Sequence, residues 1–109
     1  MTFRPKVDKY YRKDGSIESE HYYLNDKRHR EDGPATINYR KDGSISSEQY
    51  WLNGKCHRQD GPAFVYYRED GSIYSEYYWL NGEQATKEQI QEIKFNKAFD
   101  KEVLEVLSK

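Results

Sequence analysis

The sequence predicts a mainly β domain: three 28-residue β-hairpin repeats in one antiparallel meander sheet, capped by a C-terminal α-helix. Three observations carry that prediction. The segment Tyr11-Arg12-Lys13-Asp14-Gly15-Ser16-Ile17 returns from Tyr39 to Ile45 and, with Glu69 in place of lysine, from Tyr67 to Ile73, always 28 residues on. Asn53-Gly54 and Asn81-Gly82 fall at the same place in successive units, where a two-residue hairpin turn needs positive φ at both positions. Beyond Thr86 the chain carries neither Gly nor Pro, as a helix requires.

Length and composition set the bounds. The 109 residues suit one domain. Leu, Ile, Val and Phe together number only 19, low enough to raise disorder, but 18 Lys+Arg against 19 Asp+Glu leave a formal charge of −1. Eleven Tyr and two Trp supply the missing bulk, each able to bury a large area with a polar tip in water. No apolar run approaches the ~20 residues of a membrane span. The start, Met1-Thr2-Phe3-Arg4-Pro5-Lys6, lacks an apolar signal region, and a cytoplasmic protein is expected. Cys56 alone permits no internal disulfide and no zinc cage. Near-neutral charge argues against binding dominated by phosphate attraction.

Each unit opens with a hairpin. Lys41-Asp42-Gly43 reads as a three-residue loop with Gly in the left-handed position and Asp bonding the turn backbone. With that loop, Arg40 is expected opposite Ser44, Tyr39 opposite Ile45, Ile37 opposite Ser47 and Ala35 opposite Gln49. Ala35, Ile37, Tyr39, Ile45, Ser47 and Trp51 would then share the core face. Its third-unit equivalent would hold Ala63, Val65, Tyr67, Ile73, Ser75, Tyr77 and Trp79. Asn25-Asp26 fills the second turn less well than Asn-Gly. The returning strands are cut short by Asp-Gly-Pro at 32–34 and 60–62, because proline has no ladder donor.

The ending differs. Thr86-Lys87-Glu88-Gln89 fits a capping box, and Phe95, Phe99, Val103, Val106 and Leu107 fall on one helical face. Residues 1–85 are thus read as the repeat sheet (units at about 10–37, 38–65 and 66–85), and 86–109 as the capping helix.

The pattern Tyr-x-x-Asp-Gly-Ser-Ile-x-x-Glu-x-Tyr-x-Leu-Asn-Gly, complete from Tyr39 to Gly54, resembles the variant MORN repeat, also known as the YwqK-type antitoxin repeat of bacteria. The link His57-Arg58-Gln59-Asp60-Gly61-Pro62-Ala63, and its counterpart from His29, resembles versions in bacterial, phage and giant-virus proteins. The resemblance covers roughly residues 5–83, and its period here is longer than the common variant's. It implies hairpin repeats in elongated sheets that serve as binding scaffolds, and it brings no catalytic residues.

Candidate sites follow. His29 and His57 stand three residues before Asp32 and Asp60, a spacing open to a metal or an acid–base pair. Turn chemistry is preferred, since an active site needs one copy and these are repeated. Cys56 reads as an ordinary thiol, and Glu20, Glu48 and Glu76 as an acidic ladder opposite the core, paired with arginines. The third unit places Phe64, Tyr66, Tyr74 and Tyr78 where earlier units are polar, a patch to be covered either by the helix or by a partner. With Trp51, His57 and Arg58 these form the expected partner-binding set.

The functional expectation is a non-catalytic protein that engages and blocks a macromolecular partner, a protein or ribonucleoprotein. By the resemblance it would be an antitoxin-like or phage anti-defence inhibitor, such as an anti-CRISPR protein, acting in the bacterial host cytoplasm. An RNA, DNA or nucleotide binder stacking bases on Tyr and Trp is the contrasting class, and a self-assembling scaffold is a third. No nucleophile–base–orienter set stands out, so neither an enzyme nor a cofactor or metal is expected. The oligomeric state is left open.

Overall fold

A computed structural model describes residues 4–96. The first hairpin joins β1 (Pro5–Tyr11) to β2 (Ile17–Leu24), and the short β3 (Lys27–Arg28) returns against the end of β2. The second joins β4 (Thr36–Tyr39) to β5 (Ile45–Gln49), followed by the ribbon β6 (Trp51–Leu52) and β7 (Lys55–Cys56). The third joins β8 (Phe64–Tyr67) to β9 (Ile73–Leu80), with β10 (Glu83–Ala85) returning along the end of β9. The main sheet runs β1-β2-β4-β5-β8-β9-β10, antiparallel throughout, and β6 pairs with β7 apart from it. The expected mainly β meander is the observed fold.

Both turn types form as their residues demand. Gly43 sits at φ +90°, Arg40 N–H donates to Ser44 C=O at 2.8 Å, and Asp42 Oδ1 accepts from the Ser44 N–H and hydroxyl. Asn53 and Gly54 take φ +50° and +79°, and Asn25 and Asp26 reach the same region at +52° and +66°.

The register departs from expectation one step beyond the loop. Tyr39 does face Ile45, but the next pair is Asn38 with Ser47, so Ser46 is an extra residue bulged out of the ladder. Glu18 and Tyr74 are the equivalent bulges in the other hairpins. A bulge flips every residue beyond it to the other face. Ile37 therefore lies opposite Glu48, not Ser47, and Val65 opposite Glu76. The glutamates share the row of the core residues Ile37 and Val65, which corrects their expected place on the far side.

Tyrosines, not arginines, receive those glutamates. The Tyr39 hydroxyl donates to Glu20 Oε1 at 2.6 Å and the Tyr67 hydroxyl to Glu48, each reaching back to the preceding unit. Tyr22 and Tyr78 add a bond to Glu20 and Glu76 from two residues along their own strands. Arginines bind backbone instead. Arg12 donates to Ile17 C=O on its own hairpin and to Tyr39 C=O on the next, and Arg40 does the same with Ile45 and Tyr67. Adjacent hairpins are thus joined by strand pairing, an arginine clasp and a partly buried tyrosine–carboxylate bond.

The chain turns from β10 into α1 at residues 87–96. The capping box forms as read: Thr86 N–H donates to Gln89 Oε1 at 2.8 Å, and Gln89 N–H to Thr86 Oγ1 at 3.1 Å. Within α1 Ile90 is buried and Phe95 is 69% exposed. The rest of the expected apolar stripe, from Phe99 onward, lies outside the described residues.

Candidate functional site: an aromatic face

Pairing carries one row of side chains across the whole sheet: Asp8, His21, Thr36, Gln49, Phe64 and Tyr77. The neighbouring row on the same face runs Tyr10, Ser19, Asn38, Ser47, Tyr66 and Ser75. The sheet is therefore polar on this face at its middle and aromatic toward β8 and β9. Trp51 lies 6.1 Å from Phe64, Phe64 lies 6.0 Å from Trp79, and Tyr66 meets Tyr77 edge to face at 6.1 Å. Between these rings opens a hollow of about 540 Å³ lined by Phe64, Tyr66, Tyr74, Ser75, Tyr77, Trp79 and Gln84. Tyr74 is 69% and Tyr77 45% exposed.

The two tryptophans differ in one bond. Trp51 Nε1–H donates to Gln49 Oε1 at 3.2 Å, two residues back on its own chain. For Trp79 that position is Tyr77, and its buried indole N–H has no acceptor among the described residues. At the other end of the aromatic row, Arg28 lies over the Trp51 ring at 5.4 Å.

Of the residues singled out from sequence, Trp51, Phe64, Tyr66 and Tyr74 come together here. Tyr78 does not: the bulge at Tyr74 sends it to the opposite face, where its hydroxyl bonds Glu76 at 2.8 Å. Tyr77 and Trp79, read from sequence as core, take its place on the aromatic face. Counting the bulged residue after each Asp-Gly turn is the signal that finds them.

His57 and Arg58 sit apart from the aromatic rings, at the joint between the second and third units. His57 Nδ1 accepts from Asn81 N–H at 2.9 Å, as His29 Nδ1 does from Asn53. Arg58 stacks on Tyr50 at 4.0 Å, bonds Asp60 at 2.9 Å and donates to Pro62 C=O, and Arg30 repeats this on Tyr22, Asp32 and Pro34. Both joints line a polar cleft of about 420 Å³ with Tyr50 and Leu52. The Arg58 bond first, with Lys94 of α1 as the smallest contributor, holds the Asp60 carboxyl below its usual range. No residue of α1 lines the aromatic hollow.

Cys56 is the chain's one thiol. Cys56 is buried opposite Trp51, and burial pushes its thiol up to about 12, so it is protonated at neutral pH. Among the described residues no group of three or more His, Cys, Asp or Glu is placed to hold a metal. No helix among them is long and apolar enough to cross a membrane.

The fold is a mainly β sheet of consecutive hairpins, with an aromatic hollow on β8 and β9. No family model, curated protein or solved structure matches the chain.

Proposed function

We propose that the chain is a non-catalytic binding protein that captures a protein partner on the aromatic face of β8 and β9 and blocks it. One observation carries the reading: an open hollow walled by Phe64, Tyr66, Tyr74, Tyr77 and Trp79, on a face that carries Thr36, Asn38, Ser47 and Gln49 at its middle strands. Tyr and Trp are the residue types that most often dominate interface energies, because they bury large rigid surfaces at small entropic cost. The resemblance to bacterial and phage antitoxin-like repeats supports an antagonist working in the cytoplasm, with a protein or ribonucleoprotein of a defence system as its target.

The test is affinity capture from the native cytoplasm with the wild-type chain and with Tyr74→Ala and Tyr77→Ala. A single stoichiometric protein that is held by the wild type and lost by both variants, at unchanged melting temperature, supports the proposal. Retention by both variants at wild-type affinity moves the site elsewhere. Recovery of nucleic acid that salt abolishes would favour base stacking on the same rings instead.

A further inference from the structure

We infer that a second copy of this chain adds head to tail, its β1 pairing with the outer edge of β9 to extend the sheet. The inference is independent of the aromatic-face proposal and rests on the two junctions the fold already contains. In each junction a residue set recurs at 28-residue spacing. Ser19, Glu20 and His21 pair with Asn38, Ile37 and Thr36; Ser47, Glu48 and Gln49 pair with Tyr66, Val65 and Phe64. Arg12 and Arg40 clasp the carbonyls of Tyr39 and Tyr67, whose hydroxyls return to Glu20 and Glu48.

The donor half of a third junction stands at the β9 end. Ser75, Glu76 and Tyr77 pair with β8 on one side, and β10 covers only Tyr78 to Leu80 on the other. Arg68 reaches Ile73 C=O, as Arg12 and Arg40 reach their own hairpins, and shows no inter-unit clasp among the described residues. Exposure marks the difference. Ser19 and Ser47 are 7% and 6% exposed, whereas Ser75 is half-buried and Ile73 and Glu76 are exposed.

The acceptor half stands at the other end of the same sheet. Tyr11 holds the repeat position of Tyr39 and Tyr67 but is 60% exposed, and the outer edge of β1 is unpaired among the described residues. Continuing the register by 28 residues sets Ser75 opposite Tyr10, Glu76 opposite Lys9 and Tyr77 opposite Asp8 of the incoming copy. The Tyr11 hydroxyl then meets Glu76, and its carbonyl meets Arg68. Where the inner junctions place Ile37 and Val65 against a glutamate, the outer one places Lys9, so opposite charges select this pairing. One adjustment is needed: residues 4–6 must leave Tyr23 and Leu24, as the linkers before Ala35 and Ala63 already turn away from the sheet, to clear β10.

Such a contact is heterologous and does not close on itself, so it predicts a series of species and not a dimer alone. Sedimentation velocity of the 109-residue chain should show weight-average mass rising steadily with concentration. Lys9→Glu and Glu76→Lys should each remain monomeric where the wild type associates, and an equimolar mixture of the two should associate again. Tyr11→Phe, which removes only a hydroxyl from an exposed ring, should weaken association about fivefold. Lys9→Glu also faces Glu20 across its own hairpin and Glu76→Lys also loses the Tyr78 bond, so both should melt somewhat below the wild type as monomers, while Tyr11→Phe should melt with it and separates assembly from folding. A wild-type chain that stays monomeric to roughly 1 mM overturns the inference. So does association indifferent to both charge changes, or a mixture that fails to restore it. Partner capture by the charge-changed monomers reads the aromatic face separately.

Discussion

The hydroxyl of Tyr39 reaches across the first junction to Glu20 Oε1 at 2.6 Å, from a side chain 19 residues away in sequence. Tyr67 and Glu48 repeat the relationship one unit on. The bond unites the two halves of the fold's logic: it lies in the row of Ile37 and Val65, and it ties one hairpin to the next.

Removing that hydroxyl should therefore loosen the array. Tyr39→Phe is expected to cost about 1–2 kcal/mol in urea unfolding, since a partly buried carboxylate loses a charge-assisted bond. A double-mutant cycle with Glu20→Gln should show coupling of the same sign, whereas Tyr11→Phe should leave monomer stability unchanged.

The same pairs set the pH range. Glu20 is held below its usual 4.5 chiefly by Tyr39, so its contribution is complete above the unfolded carboxylate range and lost as pH falls through the folded value. Burial first, then the bonds to Glu20 and Glu48, push the phenols of Tyr39 and Tyr67 from 10.0 up to about 12. Their contribution is complete below pH 10 and lost as pH rises through about 12. Unfolding free energies across pH should show both limbs, and Tyr39→Phe with Tyr67→Phe should flatten the alkaline one.

Gly43→Val should destabilise through backbone strain alone. An added Cβ would meet nothing within 4 Å, but φ is +90°. Left-handed backbone costs an L-residue roughly 1–2 kcal/mol, and a β-branched one more. A melting temperature equal to wild type would contradict the turn assignment.

Cys56 should resist thiol reagents. With burial raising it to about 12, labelling at pH 8 should follow global unfolding and accelerate sharply in denaturant. Rapid labelling of the folded chain would mean that the β6–β7 ribbon opens locally.

Arg58→Ala should act on the fold. It removes the stack on Tyr50 and the bonds to Asp60 and Pro62, so a loss of about 1–3 kcal/mol is expected. Partner affinity per folded molecule should change far less than for Tyr74→Ala. The reverse order would return Arg58 to the binding face.

The sequence by itself determined the hairpins, their turns and the helix start. These are local events: an Asp-Gly loop, an Asn-Gly turn and a Thr86–Gln89 cap each satisfy their own backbone within a few residues. It also marked Phe64, Tyr66, Tyr74 and Tyr78 as an outward aromatic patch, with Trp51 expected on the opposite face. Only the tertiary structure decided which rings share a face, because one bulged residue per hairpin reverses the alternation on the returning strand. That single step moved Tyr78 away from the hollow, brought Tyr77 and Trp79 into it, and set the glutamates beside Ile37 and Val65. The fold likewise sets His57 and Arg58 in the joint that holds the Asn81 turn and stacks on Tyr50. The bulge follows each Asp-Gly turn, in the third hairpin too, where Arg68 reaches Ile73 of its own hairpin and shows no inter-unit clasp among the described residues. Which rings it brings together is set by the pairing of strands from different units, contacts too far apart in sequence for alternation along one strand to show.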